Sequence, residues 1–497
     1  MMMMMKSTIK VLYSIMVFCL LATIARPYLV KAESTNAIDL ISLKRQLLTG
    51  VLATEYDLDN DGSITILDLI ACKKKSAYTE EKYINVGSGY IAEIIQHNAE
   101  TFDGKVGDVK SIDWSRPTNN YLPQGTVDYC STSLVSYKDL NYVTLRAGYR
   151  VYLDRKDKPH TDKKAVVRRY IGSLPDHNEI GIAAFESDGD HTVLTLNSLW
   201  KAPFYFDLLP QNYTNPSKQD YRIGSPTFNY LDITFCYATV WTGEIEIPED
   251  HPLFSSAKII QNASDYTLRL YLKKQGAFYG WDSYYNENGQ LCFSFLNPHP
   301  VMAAENEYGV DLCGAKVLID VGHGGVDIGA PGFDYKNHSE AIQNLVLANK
   351  IKAELESIGA EAILTRTGNT TSSTDDKLTM LRRVKPDYCI AVHHNSSTNA
   401  GANGFCSYYH HAFSMKAAEY ILTATQNTGN RVYTKFDPLS WHYYFVARST
   451  VCPVVLTENG YISNADDYKK IISDEGNTIK AKAITKGIAD YFLQEHK

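Results

Sequence analysis

The sequence predicts a multidomain protein. A C-terminal α/β domain, with a mostly parallel twisted sheet flanked by helices, follows a β-rich middle region and a small α-helical N-terminal module. Three observations carry that prediction. From Gly314 onward, short apolar runs alternate with helical periodicity, the pattern of a largely parallel sheet covered by helices. Between Ile84 and about Pro300 the apolar period is two and turn residues punctuate it, which reads as antiparallel β structure. Ahead of both, an acidic twelve-residue loop leads into one short helical pattern. We place the segments at 1–32, 33–78, 84–305 and 314–497.

Composition narrows the partners. Hydrophobic residues make up 44% and charged residues 21% of 497, so large cores are possible. A formal charge of -7 and a pI near 6.1 exclude a general nucleic-acid binder, which needs a basic face. The compositional oddity is 35 tyrosines, most of them before residue 310.

The first segment reads as a secretory signal. Lys6 and Lys10 flank the apolar run Val11–Ala25, and Val30-Lys31-Ala32 places small residues for cleavage after Ala32. The competing reading is a membrane anchor. The run is short for a span, and Arg26-Pro27 interrupts it. No later segment is apolar enough to cross a bilayer, so the expected mature chain is exported, with no integral membrane segment. Of nine cysteines, Cys19 falls in the leader and the rest scatter from Cys72 to Cys452 without a disulfide framework. Cys236, Cys389 and Cys452 sit in apolar runs, and we expect mostly unlinked, buried thiols.

The N-terminal module carries the run Asp57-Leu58-Asp59-Asn60-Asp61-Gly62-Ser63-Ile64-Thr65-Ile66-Leu67-Asp68. Asp57, Asp59 and Asp61 stand at alternate positions and Gly62 makes the turn. Ser63 offers its carbonyl and Asp68 closes the loop, the oxygen-rich register that calcium requires. With the following Leu69-Ile70-Ala71-Cys72-Lys73-Lys74, it resembles a type I dockerin. Asp39-Leu40-Ile41-Ser42-Leu43-Lys44-Arg45 repeats the helix, but Tyr28, Val30 and Ala32 stand where a first loop would bind calcium. The module therefore resembles a dockerin with one intact loop. That resemblance implies a cohesin-bearing scaffold as partner; a purely structural helix pair is the alternative.

In the middle region, Tyr142–Leu145, Val193–Leu196, Thr267–Leu272 and Leu291–Phe295 are period-two runs, and Asn286-Glu287-Asn288-Gly289 is a turn signal. We read one or two antiparallel β domains, sandwich-like, with the segment after Pro252 as a candidate separate sheet. Trp114, Trp200, Trp241 and Trp281 either stack on sugar rings or fill β cores, and the second role is the commoner one.

In the last third, Val317–Val321 is an apolar strand that stops at Gly322-His323-Gly324-Gly325, placing His323 at a strand's carboxyl end, where α/β sheets bind ligands. A helix follows over 339–358, with Ile342, Leu345, Ala348, Ile351 and Leu355 on one stripe and Gly359 as its stop. Glu340 sits in its first turn, compatible with the helix dipole, and can lean toward His323. Strands follow at Ala362–Thr365, Cys389–Val392, Phe405–Tyr409 and Pro453–Thr457. Helices are expected at Leu378–Val384, at 415–425 and at 479–494. The strand ends thus deliver His323, His393 and Glu458 to one edge.

These motifs carry a family resemblance. Gly322-His323-Gly324-Gly325, Glu340 before Asn344-Leu345, Val392-His393-His394-Asn395 and Leu456-Thr457-Glu458-Asn459-Gly460-Tyr461-Ile462-Ser463-Asn464 resemble the zinc-dependent N-acetylmuramoyl-L-alanine amidases. Leu364-Thr365-Arg366 and Phe445-Val446-Ala447-Arg448 resemble that family's supporting segments. The resemblance implies His323, Glu340 and His393 as zinc ligands and Glu458 as the acid/base, acting on peptidoglycan outside the cell. Two imidazoles and a carboxylate suit zinc with an open fourth position, where bound water reaches a pKa of ~7 and an amide carbonyl is polarised.

His394 should point to the face opposite His393. Asp327 is placed to orient His323, and Ile328 replaces the family's proline. His338 reads as a solvated loop residue, and His410, His411 and His442 as surface histidines. Arg448 reads equally as a substrate contact or a structural ion pair. Two rival functions stand beside the amidase: a zinc peptidase cutting within the peptidoglycan stem, and a non-catalytic, scaffold-attached wall-binding protein. The second should have lost a ligand or the acid/base, and all four positions are intact.

Overall fold

The computed structural model describes residues 89–97, 99–103, 117–137, 140–155, 166–210, 213–214, 222–223, 226–334, 337–429, 438–442 and 444–496. The leader, the calcium-type loop from Asp57 to Asp68 and Trp114 lie outside the described residues.

The C-terminal sheet is built from β1 (Lys316–Val321), β2 (Glu361–Leu364), β3 (Tyr388–Asn395), β4 (Phe405–Tyr409), β5 (Leu439–Trp441) and β6 (Val454–Tyr461). Their spatial order is β2-β1-β3-β6-β4-β5. The first four in that order are mutually parallel; β4 runs antiparallel to β6 and parallel to β5. The chain leaves β1 toward β2 on one side and returns to β3 on the other, so the order reverses between β1 and β3. Such a switch point opens a crevice at the carboxyl ends of the strands.

The helices are α1 (Glu340–Glu356), α2 (Thr374–Val384), α3 (Met415–Asn427), α4 (Ala465–Ile471) and α5 (Asp474–Glu495). Two start earlier than the apolar stripe alone indicates. Ser373 and Asp376 form a reciprocal capping box that begins α2 four residues before Leu378. The Ser473 side chain accepts from the Gly476 N–H, so α5 begins well before 479. The short α4, absent from the expectation, is started by Asn464, which accepts from the N–H groups of Asp466 and Asp467. Among the described residues no helix is long and apolar enough to cross a membrane.

Strand alternation divides the sheet between two cores. Val317, Ile319 and Val321 of β1, Ile390 and Val392 of β3 and Val455 of β6 pack with Leu347 and Ile351 of α1, Ile421 of α3 and Ile488 of α5. On the other face, Leu318, Cys389 and Val454 join Leu381 of α2 in a core continuous with the middle region. Helices therefore flank both faces, but β structure completes the cover of one of them.

The middle region is β-rich throughout its described length. A five-stranded sheet contains 178–187, 191–198, 238–242, 281–285 and 291–296; a four-stranded sheet contains 204–209, 230–235, 254–261 and 266–272. Phe206 of one sheet stacks on Trp281 of the other at 3.9 Å, and Phe204 meets Phe293 edge-on at 4.8 Å, so the two sheets enclose an aromatic core. The two hairpins after Pro252, 254–272 and 281–296, form no sheet of their own. The first extends the ladder of 230–235 and the second pairs with 191–198, because only there do Leu268, Leu270, Phe293 and Phe295 become buried. The pair 178–187/238–242 is parallel, an exception within otherwise antiparallel pairing. Before the sandwich stand a three-stranded and a second five-stranded sheet, from Tyr90 to Ile171. Cys130, Cys389, Cys406 and Cys452 are buried thiols.

Candidate metal centre

His323 lies two residues beyond β1 with φ +58, a left-handed conformation that a histidine adopts only when its surroundings enforce it. Those surroundings are visible. Arg366, after β2, is almost fully buried; its Nη2 donates to the carbonyls of Gly322 (2.9 Å) and Ala341 (2.6 Å), and its Nε to that of Val321 (3.3 Å). One guanidinium thus fixes the turn carrying His323 to the first turn of α1. Gly322 is required for a separate reason: a Cβ there would run into the His393 ring.

Glu340 opens α1, and its carboxylate sits between the two imidazoles. His323 Nε2 is 3.1 Å and His393 Nδ1 3.0 Å from Glu340 Oε1. The two rings stand nearly perpendicular with centroids 5.0 Å apart, and one donor atom from each of the three residues lies within 4.8 Å of the others. Glu340 is held further by the N–H groups of Ala330 (2.9 Å, to Oε2) and His394 (3.2 Å, to Oε1). Its burial opposes ionisation, but the hydrogen bonds and charge of the two histidines hold the carboxyl far below the usual range. For His323, burial lowers the pKa, while Glu340 and then Asp327 raise it further, to about 9. Asp327 Oδ2 is 2.8 Å from His323 Nδ1, leaving Nε2 to face the centre.

Glu458 stands opposite His393 in the β3–β6 register. It is 8% exposed, and its Oε2 is buried without a hydrogen-bond partner. Burial and the nearby Glu340 charge push its pKa well above the carboxylate range. By alternation His393 and Glu458 project on the face of Cys389 and Val454, whereas Glu340 arrives on a helix of the opposite face. The centre is assembled from both sides of the sheet.

The neighbours fall into place around it. His394 is buried toward α1, with Nδ1 2.7 Å from Asn344 Oδ1, and Asn344 Nδ2 donates to the Gly322 carbonyl. Burial keeps His394 neutral. His338 is a partly exposed loop residue against Asp334 and Tyr468. The expectation of surface histidines fails at His410 (0% exposed) and His411, which are enclosed where β4 turns toward the middle region; His411 Nε2 meets the Arg448 carbonyl at 2.8 Å. Burial first, then nearby positive charge, holds the His410 pKa well below its ordinary value. His442 is exposed. Arg448 makes an ion pair with Glu100 of the middle region. Tyr444, which no motif marked, has its phenol within electrostatic reach of both Glu458 and Glu340 and stacks on His442 at 3.9 Å.

Two imidazoles and a carboxylate gathered at the switch point of an α/β sheet, beside a second, buried carboxylate, form a candidate metal centre. Residues 317–490 match the family model described as N-acetylmuramoyl-L-alanine amidase. The chain is 31% identical over 200 residues to the probable cell wall amidase LytH of Staphylococcus saprophyticus, covering 39% of this chain and 64% of that protein. It is 29% identical over 229 residues to the probable cell wall amidase LytH of Staphylococcus aureus, covering 45% and 75%. The chain thus spans a little under two thirds of the first of these relatives. Among solved structures, it is similar to the catalytic domain of CwlV, an N-acetylmuramoyl-L-alanine amidase from Bacillus (Paenibacillus) polymyxa var. colistinus: 28% identity, TM-score 0.34, 36% of this chain and 97% of that one.

Proposed function

We propose that this chain is an exported, zinc-dependent N-acetylmuramoyl-L-alanine amidase, hydrolysing the amide between the lactyl group of N-acetylmuramic acid and L-alanine in peptidoglycan. The observation that carries the reading is the convergence of His323, Glu340 and His393 within 4.8 Å, beside the buried, unpartnered Oε2 of Glu458.

The donor set fits zinc. Two nitrogens and one carboxylate oxygen face one point, Asp327 fixes the His323 tautomer, and buried amide groups orient Glu340. His323, Glu340 and His393 would hold the zinc, which when bound would supply acidification of water and polarisation of the scissile carbonyl. Glu458 then supplies what the reaction lacks, a proton carrier. Its carboxylate takes a proton from the attacking water as the oxygen bonds to the lactyl carbonyl carbon. It returns that proton to the alanine nitrogen as the carbon–nitrogen bond breaks. The products are a lactyl carboxylate and a peptide with a new amino terminus. Arg366 and Asn344 position the turn under His323 and take no part in proton movement.

The test is digestion of purified peptidoglycan followed by mass spectrometry. Stem peptides beginning at L-alanine, with intact glycan, are expected. Stems cut internally would replace the amidase by the peptidase reading, and an undigested wall would leave only wall binding. The reading extends to the N-terminal module, where Asp57, Asp59, Asp61, Ser63 and Asp68 hold one calcium ion and a cohesin-bearing scaffold is the partner. Calorimetric titration of the whole protein should register one calcium site that Asp59→Ala removes; no calcium heat would end that part of the proposal.

A further inference from the structure

A cavity of about 510 Å³ lies between the first sheets of the middle region and the C-terminal domain, bounded on the latter side by α2 and the segment Phe445–Thr450. Its walls are mixed. Phe102, Tyr121, Tyr142 and Phe445 line it with rings, and Glu100, Asp375, Arg382 and Arg448 bring charge. Two of these groups are unsatisfied. The Tyr121 hydroxyl is buried with no hydrogen-bond partner, on a residue only 6% exposed, and Arg382 Nε is likewise buried without one.

These groups form one cluster. The Tyr121 phenol lies within electrostatic reach of Glu100, Arg448 and Arg382. Glu100 and Arg448 neutralise each other as an ion pair. Arg382 has no such partner among the described residues: Asp282 and Asp375 act on it only through longer-range charge, and Asp282 already lies 3.5 Å from His97. Among the described residues the cavity wall thus presents a guanidinium without an ion-pair partner and a buried hydroxyl donor, with the Asp375 carboxylate also on the wall, set among aromatic and apolar groups. Unpaired buried donors are costly, and an acceptor with negative charge satisfies both at once. A guanidinium prefers a planar carboxylate. The volume suits a molecule the size of a monosaccharide or dipeptide, and domain interfaces are common places for such sites.

We propose that this interdomain cavity is a binding site for a small organic carboxylate, its anion held by Arg382 and Tyr121 and its body packed on the aromatic wall. The site is separate from the metal centre and does not rest on the amidase reading. Its position between the two regions means that an occupant would tie the middle region to α2.

The shared chemistry, a carboxylate on a compact body, has two sources, a sugar acid or a peptide terminus. Calorimetric titration of the intact protein with N-acetylmuramic acid and with N-acetyl-alanyl-alanine separates them, and uncharged N-acetylglucosamine serves as control. One acid should bind in roughly the sub-millimolar range, with the neutral sugar at least about tenfold weaker. Arg382→Gln should weaken that binding about tenfold or more and Tyr121→Phe by a smaller factor. Thr379→Trp, at an exposed position on the cavity wall, should block it while leaving the core intact. Absence of binding by both acids, or affinity that Arg382→Gln and Thr379→Trp leave unchanged, would overturn the proposal. Because the readout is binding, failure of the amidase assignment leaves this test standing.

Discussion

The two faces of the C-terminal sheet do different work. The face covered by α1, α3 and α5 is a conventional helix-on-sheet core, and it contributes Glu340 together with the clamps that hold it. The opposite face is closed by α2 and by β structure from the middle region, and it contributes His393 and Glu458. The candidate metal centre sits where the two faces meet at the switch point. The middle region is therefore part of the core beneath half of the site. Cutting it away would expose Leu318, Leu381, Cys389 and Val454 to water.

The largest expected effect tests the chemistry assigned to the β-covered face. Glu458→Gln keeps the shape of the side chain and removes the proton carrier. Hydrolysis should fall by roughly 10²–10⁴ with bound zinc retained, as measured by product release alongside metal analysis. Full activity would sink the role of Glu458; loss of zinc with activity would move Glu458 to the metal. His393→Ala, by contrast, should lose both.

The second test breaks the cover itself. Phe413, just after β4, is buried edge-to-face against Phe278 of the middle region at 5.6 Å. Phe413→Ala should cost about 3–5 kcal/mol and lower the unfolding temperature of the whole assembly by several degrees. If calorimetry shows the C-terminal domain unfolding unchanged, the two regions are energetically independent despite their shared packing.

How much of this was legible in the sequence follows from the range of the interactions. His323, His393 and Glu458 stood out because each ends an apolar run, a local signal of a strand meeting a site. Glu340 carried a weaker signal, its place in the first turn of α1 within reach of His323, and only the family resemblance made it a metal ligand. Helix starts at Ser373 and Ser473 were readable in principle, since capping depends on a few adjacent residues. The burial of His410 and His411 was not readable, because the atoms enclosing them come from chain far away in sequence. The same holds for the hairpins after Pro252, whose partners lie up to about a hundred residues upstream. Tyr444 lacked a signal altogether; one tyrosine among 35 becomes informative only when the fold brings it within electrostatic reach of two carboxyl groups.

The smallest expected effect sharpens the comparison through pH. Asp128, in the strand Val127–Tyr129, is fully buried; the Ala147 N–H donates to it at 2.8 Å and the Tyr237 hydroxyl at 3.0 Å. It thereby links the first sheets of the middle region to the sandwich. Burial pushes its pKa up to about 7, against the lowering effect of those two donors. In the unfolded chain the same group titrates near 3.8, so between that pH and about 7 the folded state binds the extra proton. Stability from this group is accordingly full below the lower value and declines as pH rises through the higher one. Over that window the loss is on the order of 2–4 kcal/mol. Asp128→Asn removes the ionisation and should flatten the dependence: its unfolding temperature, relative to the parent, should rise between pH 5 and pH 8 (roughly the titration window). A constant difference across that range would mean that Asp128 is already ionised in the fold, its two donors outweighing burial. If the parent's C-terminal domain follows the same pH curve, the sheet's two faces melt as one unit; if only the middle region does, the shared core is weaker than its burial implies.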